Sequence, residues 1–270
     1  MNIKCAGTTE EVLDLFASHL SQKGRSENTI KTYCGVLHSF CNWLEEQKKD
    51  IQLVSSVDVQ SYMDYLEAEG RSNSTINKIY NAIKTFAHAT AQLEITKDIR
   101  RVTKIDKEGP SEFLTKPDVE KLLISVKNSG NKRNIAMVYT FLETGIRVSE
   151  FCMLNKSDVQ FNSNGQTGQL TVSNSKGHGY RTLPLTKTVV SYLKGYLETR
   201  DDDNEALFLS GYDKRIATRT VQHTLKQYGI TPHMLRHTYC YDLVQKGVDL
   251  SIVAQLAGHV NTTITKQYVS

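Results

Sequence analysis

No Cys-x-x-Cys pair occurs among the five cysteines, Cys5, Cys34, Cys41, Cys152 and Cys240. An odd, scattered set argues against a disulfide scaffold and for a reducing cytoplasm. The N-terminus reaches Thr8-Thr9-Glu10-Glu11 without an apolar h-region, which argues against a signal peptide. Clean apolar runs, such as Ala136 to Tyr139, are far too short to span a bilayer. Charge of one sign is scarce as well: 33 Lys and Arg face 29 Asp and Glu, leaving +4. That mild excess permits nucleic-acid binding without demanding it. There is no internal repeat and no low-complexity tract. What remains is a soluble, intracellular chain of 270 residues, 39% hydrophobic and 23% charged, long enough for one large domain or two modest ones.

Through the first hundred residues, apolar positions recur at spacings of three and four, the mark of amphipathic helices. Thr8 or Thr9 can cap a first helix carrying Val12, Leu13, Phe16 and Leu20, ended by Gly24. Ser26 opens a second, with Ile30, Tyr33, Leu37, Phe40 and Leu44 in one stripe. Cys34 and Cys41 lie a heptad apart in that pattern and read as packing residues. A third helix is predicted over 56–69, ended by Gly70. A fourth starts near Ser72, with Ile76, Tyr80, Ile83, Phe86 and Ala87 on one face. Four such helices on short loops make a compact bundle. Between about 95 and 115 the period breaks down. Lys97, Arg100, Arg101, Lys104 and Lys107 crowd a stretch ending in Gly109-Pro110, which reads as an exposed basic linker. Its charges are either solvated or, in a clamp hinged there, set against phosphates.

The second half is mixed. Helical patterns cover 116–126 and 131–144, with a short one from near Val148. Strand-like segments follow at 159–161, 169–172 and 180–184, the last two flanking a Gly- and Ser-rich hairpin tip at 173–179. Helices are expected again over 186–197, 217–228, 233–245, 252–256 and 262–267. The fold class is therefore mainly α with a small antiparallel β-sheet.

Basic and hydroxyl side chains are threaded through this half. Arg147 sits in Thr144-Gly145-Ile146-Arg147-Val148-Ser149-Glu150, and His233 and Arg236 in Pro232-His233-Met234-Leu235-Arg236-His237. His259 ends Leu256-Ala257-Gly258-His259, and Tyr268 comes nine residues later. Two arginines can fork onto non-bridging phosphate oxygens, and histidines can donate hydrogen bonds or move protons near neutral pH. A phenol with a free pKa of about 10 is a poor nucleophile, so a cationic cage is what could activate it. Three residues apart at a helix start, His233 and Arg236 share a face. Taken singly, each residue has a blander reading: a surface ion pair for either arginine, a helix cap for His259, packing for Tyr268. Jointly those readings need several independent accidents. The H-x3-H-x2-C spacing of His233, His237 and Cys240 could also suit zinc. No acidic residue intervenes as in H-E-x-x-H and no second ligand cluster is evident, so His237 and Cys240 read as packing.

These strings resemble the tyrosine recombinase (phage integrase) family, in which R-x-S-E, H-x-x-R, G-H and a late Y stand in this order. Lys176-Gly177 between two strands, followed by Arg181-Thr182-Leu183-Pro184-Leu185, resembles the family's K-G and R-x-x-P-L. The run from Ser26 to Tyr33 resembles its core-binding domain. The resemblance implies a helical core-binding domain over 1–96, a linker over 97–112 and a catalytic domain over 113–270. It implies Tyr268 as the nucleophile forming a 3′-phosphotyrosine, Arg147 and Arg236 stabilising the transition state, and Lys176 as general acid. His233 becomes the candidate base, His259 a supporting donor and Glu150 an orienting residue. Asn28, Thr29, Lys31, Arg71, Lys78, Lys84, Arg100 and Arg101 are the candidate DNA contacts. No metal and no cofactor is implied. The partners are double-stranded recombination sites and three further copies of the chain, passing through a Holliday junction at the nucleoid. An Xer-like or transposon-encoded integrase or resolvase is the nearest kind. A type IB topoisomerase and a catalytically inactive DNA-binding accessory protein are the rivals. Only Val269 and Ser270 follow Tyr268, whereas many members carry a further helix that docks on a neighbouring protomer. The chain therefore either uses a short tail or is truncated.

Overall fold

The computed structural model describes residues 8–100, 113–173, 179–259, 265 and 268. The chain divides into two compact units, Met1–Glu108 and Gly109–Ser270.

The first unit holds helices α1 (Thr9–Gln22), α2 (Glu27–Glu46), α3 (Ser56–Ala68) and α4 (Asn73–Thr90). Each start is fixed locally. The hydroxyls of Thr8, Ser26, Ser55 and Ser72 accept the backbone N–H three residues on, and Thr8–Glu11 and Ser55–Asp58 are full capping boxes. The apolar stripes then meet as their spacing predicts. Phe16, Leu37, Phe40, Leu44, Ile83 and Phe86 are buried, and Phe16 meets Phe86 edge to face at 5.5 Å. Each such ring stabilises the bundle by about 1.5–3 kcal/mol on burial. Arg101 and the rest of the predicted basic linker from there to residue 112 lie outside the described residues.

The second unit is built on α6 (Lys132–Thr144), buried continuously from Asn134 to Phe141. On it pack α5 (Lys116–Asn128), α8 (Lys187–Leu197) and α10 (Pro232–Gln245); α9 (Thr218–Lys226) packs on α7 (Val148–Met153) and α10, and α11 (Leu250–Ala257) on α10. Strands β1 (Val159–Phe161), β2 (Gly168–Ser173) and β3 (Tyr180–Leu185) form an antiparallel sheet in sequence order. Leu170 pairs with Leu183, and Val172 with Arg181. Opposed residues share a face and side chains alternate with period two. Arg181 therefore lies on the inward face with Leu183 and Leu185, a charge carried to the core side. The hairpin tip, including Lys176 and His178, lies outside the described residues, as does most of the helix expected over 262–267. Among the described residues no helix is long and apolar enough to cross a membrane.

Candidate active site

Glu150 organises the site. Its side chain is 1% exposed and receives two arginines. Arg181 forks onto it, Nη1 to Oε1 at 2.9 Å and Nη2 to Oε2 at 2.7 Å. Arg147 donates Nη1 to Oε1 at 3.0 Å and its backbone N–H to Oε2 at 2.9 Å. Burial alone would push this carboxyl up. The hydrogen bonds from Arg181 and the Arg147 backbone, with both guanidinium charges, hold it below its ordinary value. Glu150, read from the sequence as an orienting residue, bonds both the backbone and the guanidinium of Arg147.

Two glycines complete the frame. Gly145 ends α6 with φ +57°, and a Cβ there would sit 2.2 Å from the Tyr239 ring. Its carbonyl accepts from Arg236 Nη1 at 2.6 Å. Gly258 ends α11 with φ +69°, and a Cβ would meet Arg181 Nη1 at 2.9 Å and Arg147 Nη1 at 3.0 Å. The Gly258 carbonyl accepts from Arg147 Nη2, and that of Leu256 from Arg181 Nε at 2.9 Å. The C-terminal end of α11, where carbonyls carry the negative end of the helix dipole, thereby receives both cations.

Arg236 is 6% exposed, and burial, then the Arg147 charge, lowers its pKa to about 10, so it stays protonated at neutral pH. Three guanidiniums, Arg147, Arg181 and Arg236, face the single Glu150 carboxylate, leaving an excess of two positive charges. His259 does not add to it. Burial, followed by Arg236 and Arg147, lowers its pKa to about 4, and its Nδ1 lies 2.9 Å from Thr265 Oγ1. Arg147, Arg236 and the exposed His233 line a cleft of about 860 Å³, together with Gln222 and Lys226 of α9. An excess of positive charge facing such a cleft suits an anion.

Tyr268 is 3% exposed and packs with Tyr239, Cys240, Val253 and Ala257. Its hydroxyl lies 2.6 Å from His237 Nδ1, and the Cys240 thiol also hydrogen-bonds the phenol. The sequence reading gave the phenol to His233 and read His237 and Cys240 as packing; the structure puts His237 at the phenol and buries Cys240 fully in the apolar cluster. His233 instead lies at the cleft, its ring edge-on to His237 at 4.6 Å. Arg181, His237, Gly145 and Gly258 were missed as site residues, although all four lie inside the strings that were singled out. Among the described residues, no three His, Cys, Asp or Glu side chains converge as metal ligands.

The candidate DNA contacts lie in the first unit. Asn28, Arg71 and Lys78 are exposed, while Thr29 and Lys84 are half-buried. Two carry acidic partners: Lys31 pairs with Glu27 at 2.8 Å, and Arg100 with Asp64 at 3.2 Å.

Comparison with known proteins completes the picture. Residues 112–270 match the phage integrase family, and residues 13–92 match the phage integrase N-terminal SAM-like domain. Tyrosine recombinase XerA of Pyrococcus furiosus is 33% identical over 267 residues, 96% of this chain and 88% of its own. The TnP I resolvase of Bacillus thuringiensis is 29% identical, over 96% of this chain and 95% of its own. The Tn1549 transposon integrase, solved in complex with transposon right end DNA, shares the fold at a TM-score of 0.74 with 20% identity. It covers 96% of this chain and 94% of that one. Matched across its catalytic half, and over almost its whole length by XerA, the chain belongs to the phage integrase family and is a tyrosine recombinase.

Proposed function

We propose that this site-specific DNA recombinase cuts each strand by attack of Tyr268 on a phosphodiester held between Arg147 and Arg236. The Tyr268 Oη–phosphorus bond forms as the phosphorus–O5′ bond breaks, leaving a 3′-phosphotyrosine and a free 5′-hydroxyl. Charge developing on the non-bridging oxygens is met by the two guanidiniums, already oriented by Glu150 and Gly145, so little reorganisation is needed at the moment of reaction. His233, at the cleft, donates to the same phosphate, and His259 is a supporting donor. Lys176 protonates the departing 5′-oxygen. The phosphotyrosine keeps the energy of the broken ester, so rejoining needs no nucleotide. The observation that carries this reading is the excess of two positive charges on a rigid frame at the cleft, with the Tyr268 phenol hydrogen-bonded to the residue next to Arg236.

The first unit grips the duplex by phosphate contacts from Asn28, Thr29, Lys31, Arg71, Lys78, Lys84, Arg100 and Arg101. Four copies pair two sites and exchange strands through a Holliday junction, at the nucleoid. The curated relatives are recombinases over nearly the whole chain, so neither a topoisomerase nor an inactive accessory protein is favoured.

The test is Tyr268→Phe, on the site recovered by selecting adduct-forming sequences from random duplex DNA. The variant is expected to bind that DNA while forming no covalent adduct on a nicked suicide duplex. Adducts that persist would move the nucleophile elsewhere.

A further inference from the structure

The step described above leaves the phenol proton without a destination. We propose that His237 takes it, acting as the catalytic base for Tyr268; this rests on the reading of Tyr268 as nucleophile. Tyr268 Oη and His237 Nδ1 are 2.6 Å apart, hydrogen-bond length for direct proton transfer. The two rings are tilted by 56° at 5.5 Å between centroids, and Tyr268 belongs to the apolar cluster of α10 and α11. The Cys240 thiol, which also bonds the phenol, is raised by burial and stays protonated, so it does not serve as the base.

The charges around His237 tie this transfer to DNA. The groups facing it are His233 and Arg236 of its own helix, the Tyr268 phenol, and His259 from beyond α11. Burial, then His233 and Arg236, lowers its pKa to about 4. The imidazole is thus neutral, and burial first, then His233 and Arg236, disfavours a proton on it. A phosphodiester in the cleft supplies a negative charge beside Arg236 and makes His237 a stronger base. DNA in the cleft thereby favours transfer of the phenol proton to Nδ1. As Oη–P forms and P–O5′ breaks, the proton passes from Oη to Nδ1, giving an imidazolium. The 5′-oxygen takes its own proton from the general acid. In rejoining, Nδ1 returns the proton to Oη.

The experiment measures first-turnover cleavage of the selected nicked duplex by the full chain. His237→Ala and His237→Asn are compared, with Tyr268 either native or replaced by 3,5-difluorotyrosine, whose phenol is more acidic. Loss of a positioned base is expected to slow cleavage roughly 10²–10⁴-fold without changing DNA affinity. His237→Asn keeps an acceptor near Nδ1 but takes no proton, so it should be slow too. Fluorination should restore most of the loss in both variants and change the wild type little. Should His237→Ala melt below the assay temperature, His237→Asn carries the same comparison. Cleavage within threefold of wild type by the better-folded variant overturns the assignment, as does a deficit that fluorination leaves untouched. Tyr268→Phe run alongside separates the two ideas: adducts from it bring down the nucleophile itself, whereas their absence with a fast His237→Asn removes only the base.

Discussion

The Glu150 carboxylate and the Arg181 guanidinium meet in a two-pronged, nearly solvent-free ion pair, and the same carboxylate holds Arg147 toward the cleft. The pair is costly to split. Removing the charge at Glu150 leaves Arg181, 8% exposed, without compensation. Glu150→Gln is therefore expected to lower unfolding free energy by about 3 kcal/mol, the low end for a broken buried pair because the amide retains some hydrogen bonds. Urea melts would show a lower midpoint at unchanged slope. Adduct formation should fall more than DNA affinity, since Arg147 loses its orientation. A stability loss below about 1 kcal/mol would mean that the arginines are held without the carboxylate.

Acid should weaken the fold in two stages. His237 and His259 have folded pKa values of about 4 against an ordinary 6.5. Between those values the unfolded chain binds protons that the folded chain does not, so stability falls as pH drops from 6.5 to 4. Both rings are half-buried, so with solvent screening each contributes on the order of 1 kcal/mol between pH 7 and 5. Glu150 acts lower: its carboxyl is held below 4.5, so its contribution is present above that pH and lost as pH falls through the folded value. Urea midpoints at pH 7, 5 and 3.5 would record both stages. Stability that is flat or rising from pH 6.5 to 4 would show that the imidazoles are charged in the folded protein.

How much of this was legible in the sequence depends on the range of the cause. Helix starts were readable because Thr8, Ser26 and Ser72 cap within three residues, and Leu37, Phe40 and Leu44 declare a face by spacing alone. Arg147, Arg236 and Glu150 stood out as residue types fit for phosphate. Arg181 did not, because its role arises from strand register, which puts it on the inward face beside Val172. His237 was hidden by its neighbours. Three and four residues separate His233 from Arg236 and His237, so helical spacing cannot say which imidazole meets a tyrosine 31 residues later. The glycines Gly145 and Gly258 carried a signal that went unused: each precedes a site residue closely, and each admits no Cβ where the side chains of the site approach.

Salt should separate the candidate DNA contacts. Lys78 is exposed, whereas Lys31 already has Glu27 as a partner. A lysine that neutralises a phosphate releases counterions, steepening the fall of log affinity with log salt by about one per contact. Lys78→Ala is expected to reduce that slope by about one, and Lys31→Ala by less, because its phosphate contact must replace an ion pair. Binding isotherms from low to moderate salt would show it. A flat response for the wild type would mean that these charges face solvent and the grip lies elsewhere.

In the sequence Lys176 stands three residues after the end of β2 and five before Arg181. Register carries Arg181 into the Glu150 frame. A positioned acid should contribute roughly 10²–10⁴-fold by protonating the departing 5′-oxygen. Lys176→Ala is therefore expected to be severely slow on ordinary DNA. A duplex whose bridging 5′-oxygen is sulfur has a leaving group that needs no proton. On it the variant should recover most of the wild-type rate, while Arg147→Ala should not, because the non-bridging charge stays unstabilised. The ratio of the two substrates' cleavage rates reports the acid independently of DNA affinity. Were Lys176→Ala equally slow on both, the lysine would only position DNA, and the acid would have to be sought among the histidines, starting with His178.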